Sequence, residues 1–334
     1  MSLVNIISVK FGPSLDLARR AFGTRVDPKL IGDLLCHNQG RYVQYEYILG
    51  ERHKDLKTAL ASRDSTAKDI RGLISQLVDY SNNELADISK ENFDYLLKYF
   101  NGRSELVPRI CIKILNKKNQ IVDVFRTVRA YYVDPHDIHE NTGFQQVVET
   151  GRFYICNNIP NKAKKGLYGN PRLDKQRVPN YNEPKRLGFF SKDDLDNLWC
   201  DCWFKKSDGV SNDIAPELRC MSCYKSTLIL PMTLMNNRGF DAEFQSKFFG
   251  KIPEKSRGIW GFLCLDHPKV NYFNRNDDIL VGYIFADIMS LYFISNFVHT
   301  EISKTFAQAK MFVDNAEGGG GIKNVEKRER AIDK

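Results

Sequence analysis

Apolar positions fall into three periods along the chain. Tyr42, Tyr45 and Leu49 recur at helical spacing, and Ile70, Leu73, Ile74, Leu77 and Val78 give a second, clearer stripe. The charged stretch 51–68 lies between them, and Ser89 is placed to cap a further helix, with Glu91 in its first turn, before FDYLLKYF. Residues 1–100 therefore read as a helical N-terminal region.

After Asn101-Gly102 the period shortens. RICIKIL (109–115) alternates apolar and basic residues, as a half-buried strand does; 116–120 is a polar turn, and 121–126 continues as the second arm of an antiparallel hairpin. A short helix is expected over 142–149, ending at Gly151, with a brief strand over 153–156. Residues 157–198, rich in Asn, Pro, Lys and Gly, carry little periodicity. Buried strands follow at 226–232 (STLILPM) and 257–266 (RGIWGFLCLD), then an apolar helix from Asp277. Residues 301–334 read as a helical extension running, from Gly318, into a flexible, mixed-charge end.

The segment 279–298 spans 20 residues with one charge, Asp287, enough by length to cross a bilayer. A lone acid near its middle and the lack of a basic cluster at either end argue instead for a doubly buried helix, with a homodimer interface as its second cover. Composition fits a soluble globular protein: 334 residues, 42% hydrophobic, 27% charged, formal charge +8. That charge suits anionic ligands, nucleic acid or a membrane surface without choosing between them. No charged-then-apolar leader follows Met1, so the expected location is cytoplasmic and no membrane partner is expected.

Of eight cysteines, four fall close together as Cys200-Asp201-Cys202 and Cys220-Met221-Ser222-Cys223. Two short turns can direct four thiolates at one ion, which predicts a structural zinc site with ligands Cys200, Cys202, Cys220 and Cys223. The first pair has a one-residue gap where two is usual; separate buried thiols or a redox pair are the alternatives. The stretch 157–198, at about 40 residues, can hardly build its own core, and a metal held in the inserted loop 157–225 would supply the missing stability. Cys36-His37 and the pair His136 and His139 have no matching partners nearby and read as incidental.

From Arg109 onward four segments in order resemble the GAF family of sensor domains: RICIKILNKKNQIVDVFRT, FQQVVETGRFYICNNIP, YKSTLILPMTL and GIWGFLCLDHPKVNYFNRNDDILVGYIFADIMSLYF. The resemblance implies an α+β fold: a GAF-like antiparallel sheet flanked by helices, over 101–300, with the cysteine-bearing insertion lying over a ligand pocket. It implies a non-catalytic sensory or regulatory protein, able to dimerise or to engage a protein partner. Asn158, Tyr224, Ser226 and Trp260 are then the candidate ligand residues, and the basic residues of the insertion favour a small anionic ligand. Cyclic-nucleotide members carry Asn-Lys where this chain has Asp266-His267, though Phe273 and Asp277-Asp278 are kept; the cysteine beside histidine that holds bilin in other members has no counterpart in the sheet region. Phe189, Phe190, Trp199 and Trp203 could equally fill the pocket.

Two other classes compete. A nucleic-acid-associated module would use Lys162, Lys164, Lys165, Arg172, Lys175, Arg177, Lys185 and Arg186 on phosphates, with Tyr168 and Tyr181 stacking on bases. A thiol-dependent reductase, similar to the GAF-fold methionine sulfoxide enzymes, would use Cys220 or Cys223, although the signatures of that family are absent. No phosphate-binding loop, paired-carboxylate site or Ser/His/Asp set is present in the sequence.

Overall fold

The computed structural model describes residues 27–116, 118, 120–127, 135–178, 198–203, 223–233, 258–274 and 276–317. Cys220, Tyr181, Lys185, Arg186, Phe189, Phe190 and the charged tail, all singled out above, lie outside the described residues, as do residues 1–26. The fold is α+β, with helices and one antiparallel sheet.

Helices α1 (Pro28–Ala61) and α2 (Ala67–Phe100) account for the N-terminal region. Thr66 and Asp69 start α2 reciprocally: the Asp69 amide donates to Thr66 Oγ1 at 3.2 Å, and the Thr66 amide to Asp69 Oδ2 at 2.9 Å. Ser89 starts nothing. It is buried inside α2, because no glycine or proline interrupts 79–100 and the buried stripe runs on through Leu85, Ile88, Asn92, Leu96 and Phe100.

Six strands pair antiparallel in the order β3-β2-β1-β6-β5-β4: β1 (Arg109–Leu115), β2 (Gln120–Arg126), β3 (His136–Asp137), β4 (Tyr154–Cys156), β5 (Ser226–Thr233) and β6 (Ile259–His267). Alternation gives the sheet two unlike faces. One is wholly apolar at its centre: Ile110, Ile112, Leu228, Leu230, Leu263 and Leu265 are buried. Helix α5 (Asp277–Phe297) packs there, and a Cβ added at its Gly282 would stand 2.7 Å from Leu230 Cδ1. Each such side chain removed from water contributes about 1.5–3 kcal/mol. The other face carries Arg109, Cys111 and Lys113 beside Cys264 and Asp266, and lies under α3 (Thr142–Thr150), α4 (Ile159–Lys164) and the segments that follow. Helix α3 ends where Gly151 turns left-handed at φ 63°.

By length and composition Asp277–Ile302 could cross a membrane, but 83% of its apolar window is buried within the protein. Its apolar surface is thus largely covered inside one chain. Asp278 holds the helix start: buried, it accepts from Tyr99 Oη (2.8 Å), Arg103 Nη1 (2.7 Å) and the Asn274 amide (2.6 Å).

Packing divides the chain into two units, Met1–His37 with Ser89–Leu291, and Asn38–Ile88 with Tyr292–Lys334. Sequence positions 100 and 300 mark changes of secondary structure; the packing units divide along α1, α2 and α5 instead. The first unit contains the sheet. The second is helical, completed by α6 (Lys304–Glu317), and built around Tyr42, Tyr45, Leu49 and Tyr292. Three of its interior hydroxyls are paired: Tyr45 Oη lies 2.8 Å from Ser81 Oγ, which also accepts from Asn296 Nδ2, and Tyr292 Oη donates to the Asn38 carbonyl at 3.0 Å.

Candidate functional site

The polar face of the sheet forms the floor of a cavity of about 60 Å³. One water needs ~10–15 Å³ on this scale, so a few waters or one small ion fit. Strand alternation brings its charges together. Arg109 and Lys113 flank Cys111 on β1; Arg126 faces Cys111 from β2, and Cys264 faces it from β6. Arg172 is contributed by the segment after α4, and Trp203 and Tyr224 close the space above.

Four cations line the cavity, Arg109, Lys113, Arg126 and Arg172, against two carboxylates, Asp123 and Asp266. Both carboxylates are engaged. Asp266 accepts from Arg109 Nη2 (2.8 Å) and from Thr227 Oγ1 (2.8 Å), while Lys113 and Arg126 both close on Asp123. Among the described residues no carboxylate pairs with Arg172. Burial, and after it the repulsion of Arg109, lowers the pKa of its guanidinium, which remains a cation at any ordinary pH. An anion entering the cavity would relieve both costs.

The wall is polar and tied down. Tyr224 Oη lies 3.2 Å from Tyr168 Oη and accepts from Asn170 Nδ2 at 3.0 Å, and its ring stands 5.3 Å from the Arg109 guanidinium. Burial, then the Asp266 charge, raises the Tyr224 phenol well above its usual value, so it stays protonated. Trp203 packs on Tyr224 at 4.5 Å and edge-on against Trp199 at 5.7 Å. These two tryptophans bury over the sheet, as expected of pocket-filling residues, yet they leave the charged cavity open beside Tyr224.

Of the four residues expected at a ligand site, Tyr224 lines the cavity. Asn158 caps α4, accepting from the Asn161 amide at 3.1 Å. Ser226 lies out of phase with the cavity-facing Thr227 and donates to the Lys269 carbonyl at 2.8 Å. Trp260 is partly exposed and away from the cavity. The residues missed are the basic ones of β1 and β2 and their acids. The alternation of RICIKIL was legible, but it reads equally as lysine and arginine turned to water. Arg109 and Asp266 facing each other at the ends of two apolar strands was the available signal.

The cysteine cluster is partly assembled. Cys223 Sγ lies 3.6 Å from the Cys200 carbonyl oxygen, which brings Cys223 to the first pair. Cys202 Sγ lies 3.0 Å from the Arg177 carbonyl and 3.1 Å from that of Leu198, a setting for a protonated thiol that would repel a thiolate. Burial, and then Asp174 and Asp201, pushes its pKa up to about 12. Among the described residues, which leave out Cys220, no three His, Cys, Asp or Glu side chains converge on a metal position. Tyr168, considered for base stacking, is 1% exposed. Cys223 is equally buried, with no exposed sulfur to attack a substrate.

No family model matches the chain, and no curated protein matches its sequence.

Proposed function

We propose that this protein is a non-catalytic, GAF-like sensory or regulatory module that binds a small anion on the polar face of its sheet. The observation that carries the reading is the excess of cations over carboxylates around one cavity, with Arg172 lacking a carboxylate partner among the described residues. Guanidinium groups grip carboxylate and phosphate through paired N–H donors, so Arg172 and Arg109 suit an oxyanion better than a lysine pair would. Sheet order, an apolar face under α5, a polar face beneath tryptophans of an insertion, and the four sequence segments all support the GAF-like reading. The described cysteines are free thiols, which supports a reducing, cytoplasmic setting.

Thermal unfolding of the full chain against inorganic phosphate, acetate and oxalate tests this. A ligand at a hundredfold excess over its Kd stabilises by about 2.7 kcal/mol, so at least one of the three should raise Tm saturably. Arg172→Gln should abolish the rise while leaving the ligand-free Tm near that of the parent. A response to none of the three, or an unchanged response in Arg172→Gln, overturns the proposal.

A further inference from the structure

We propose that Cys111 and Cys264 form a peroxide-reactive dithiol in the cavity floor, closing to a disulfide across the two central strands. They are direct partners in the β1–β6 register, both are free thiols, and both line the cavity. Directly opposed residues of an antiparallel pair have Cα atoms about 4.5–5.5 Å apart, inside the range that a disulfide spans. The bond therefore needs side-chain rotation and no strand movement.

The surroundings divide the two sulfurs into different roles. Arg109, Lys113 and Arg126 occupy the three neighbouring positions around Cys111 on its own face. Asp266 and Asp123 offset part of that charge and are themselves engaged by the same cations; His136 also borders the cavity. A hydrogen bond from the Cys264 thiol, together with Lys113, overcomes burial and lowers the Cys111 pKa. Burial raises that of Cys264, which keeps its proton and donates it toward Cys111. Bordered by Arg109, Lys113 and Arg126, Cys111 is the attacking thiolate and Cys264 the resolving thiol.

The chemistry balances with a hydroperoxide as oxidant. The Cys111 thiolate attacks the outer peroxide oxygen, an S–O bond forms, the O–O bond breaks, and the departing alkoxide or hydroxide takes up a proton. Cys264 then attacks the Cys111 sulfur; S–S forms, S–O breaks, and hydroxide leaves with the Cys264 proton as water. Two thiols and one peroxide give one disulfide, one alcohol or water, and one water, with two electrons passing from sulfur to oxygen. Cys111 is 6% exposed and Cys264 2%, so the small cavity admits hydrogen peroxide and keeps out protein thiols.

The test is peptide mass mapping of the full chain after graded hydrogen peroxide, with alkylation under denaturing conditions. The expected result is a Cys111–Cys264 cross-linked peptide, two hydrogens lighter, forming at least ~10-fold faster in the folded chain than in urea. In Cys264→Ser, dimedone added together with the denaturant should label Cys111 instead. Recovery of both cysteines alkylated, or oxidation no faster folded than unfolded, overturns the proposal. The parent chain alone decides the matter if the variant does not fold. The result is independent of anion binding, because it reads sulfur oxidation with no ligand present.

Discussion

His267 is held neutral by its neighbours. Its Nδ1 accepts from the Lys269 amide at 3.0 Å, so the proton sits on Nε2, which donates to the Leu106 carbonyl at 3.0 Å, while the ring stacks on Tyr272 at 3.5 Å. Burial lowers its pKa from the ordinary 6.5. The unfolded chain thus binds a proton that the folded chain refuses, and the stability this site supplies is complete above pH 6.5 and lost as pH falls towards the folded value. The loss is at most about 1.4 kcal/mol per pH unit for one such group. His53, also lowered by burial, adds to it with the same sign. Urea midpoints measured from pH 7.5 down to about 5 should fall, and His267→Gln should flatten part of the slope. An NMR titration placing folded His267 at or above 6.5 would contradict this.

At the scale of elements, Gly261 and Gly282 both lie where an added Cβ would crowd a neighbour, and they differ in what they meet. A Cβ at Gly261 of β6 would lie 2.8 Å from the Lys113 carbonyl oxygen, a backbone atom fixed in the sheet. At Gly282 of α5 it would meet the Leu230 side-chain tip at 2.7 Å, which can rotate, and alanine gains about 1 kcal/mol of helix propensity there. Gly261→Ala should therefore lose about 1–3 kcal/mol, and Gly282→Ala should stay within about 1 kcal/mol of the parent. Denaturant unfolding checks the ordering; equal losses would mean that α5 packs as rigidly as the strand pair. RICIKIL was legible from its alternation, and STLILPM as a short continuous apolar run, the pattern of a buried strand. The helix break proposed at Ser89 was not there: a capping residue counts only where the apolar stripe also stops, and here it continues to Phe100.

The whole molecule explains why the site was less legible than the fold. Tyr224 was reached through the resemblance of YKSTLILPMTL to a GAF segment, whereas Arg109, Lys113 and Arg126 look like ordinary solvated residues until β6 and the insertion cover them. Enclosure is a tertiary fact; a hydrophobic period reports which face is buried, not whether the polar face is roofed. The same reasoning bears on α5, whose composition alone would let it span a bilayer. Within the protein 83% of its apolar window is buried, and Gly282 lies against Leu230 of the sheet. Moving that helix into lipid would uncover the apolar sheet face that it protects and carry Asp287 towards the bilayer centre, which costs about 2.5–3.5 kcal/mol on insertion scales. Neither loss is offset, since lipid offers Leu and Ile no more than the sheet already does. The full chain is therefore expected in the high-speed supernatant of a detergent-free lysate, and to stay there in high salt. Recovery in the membrane pellet, released by detergent and not by salt, would show that α5 leaves the sheet for lipid.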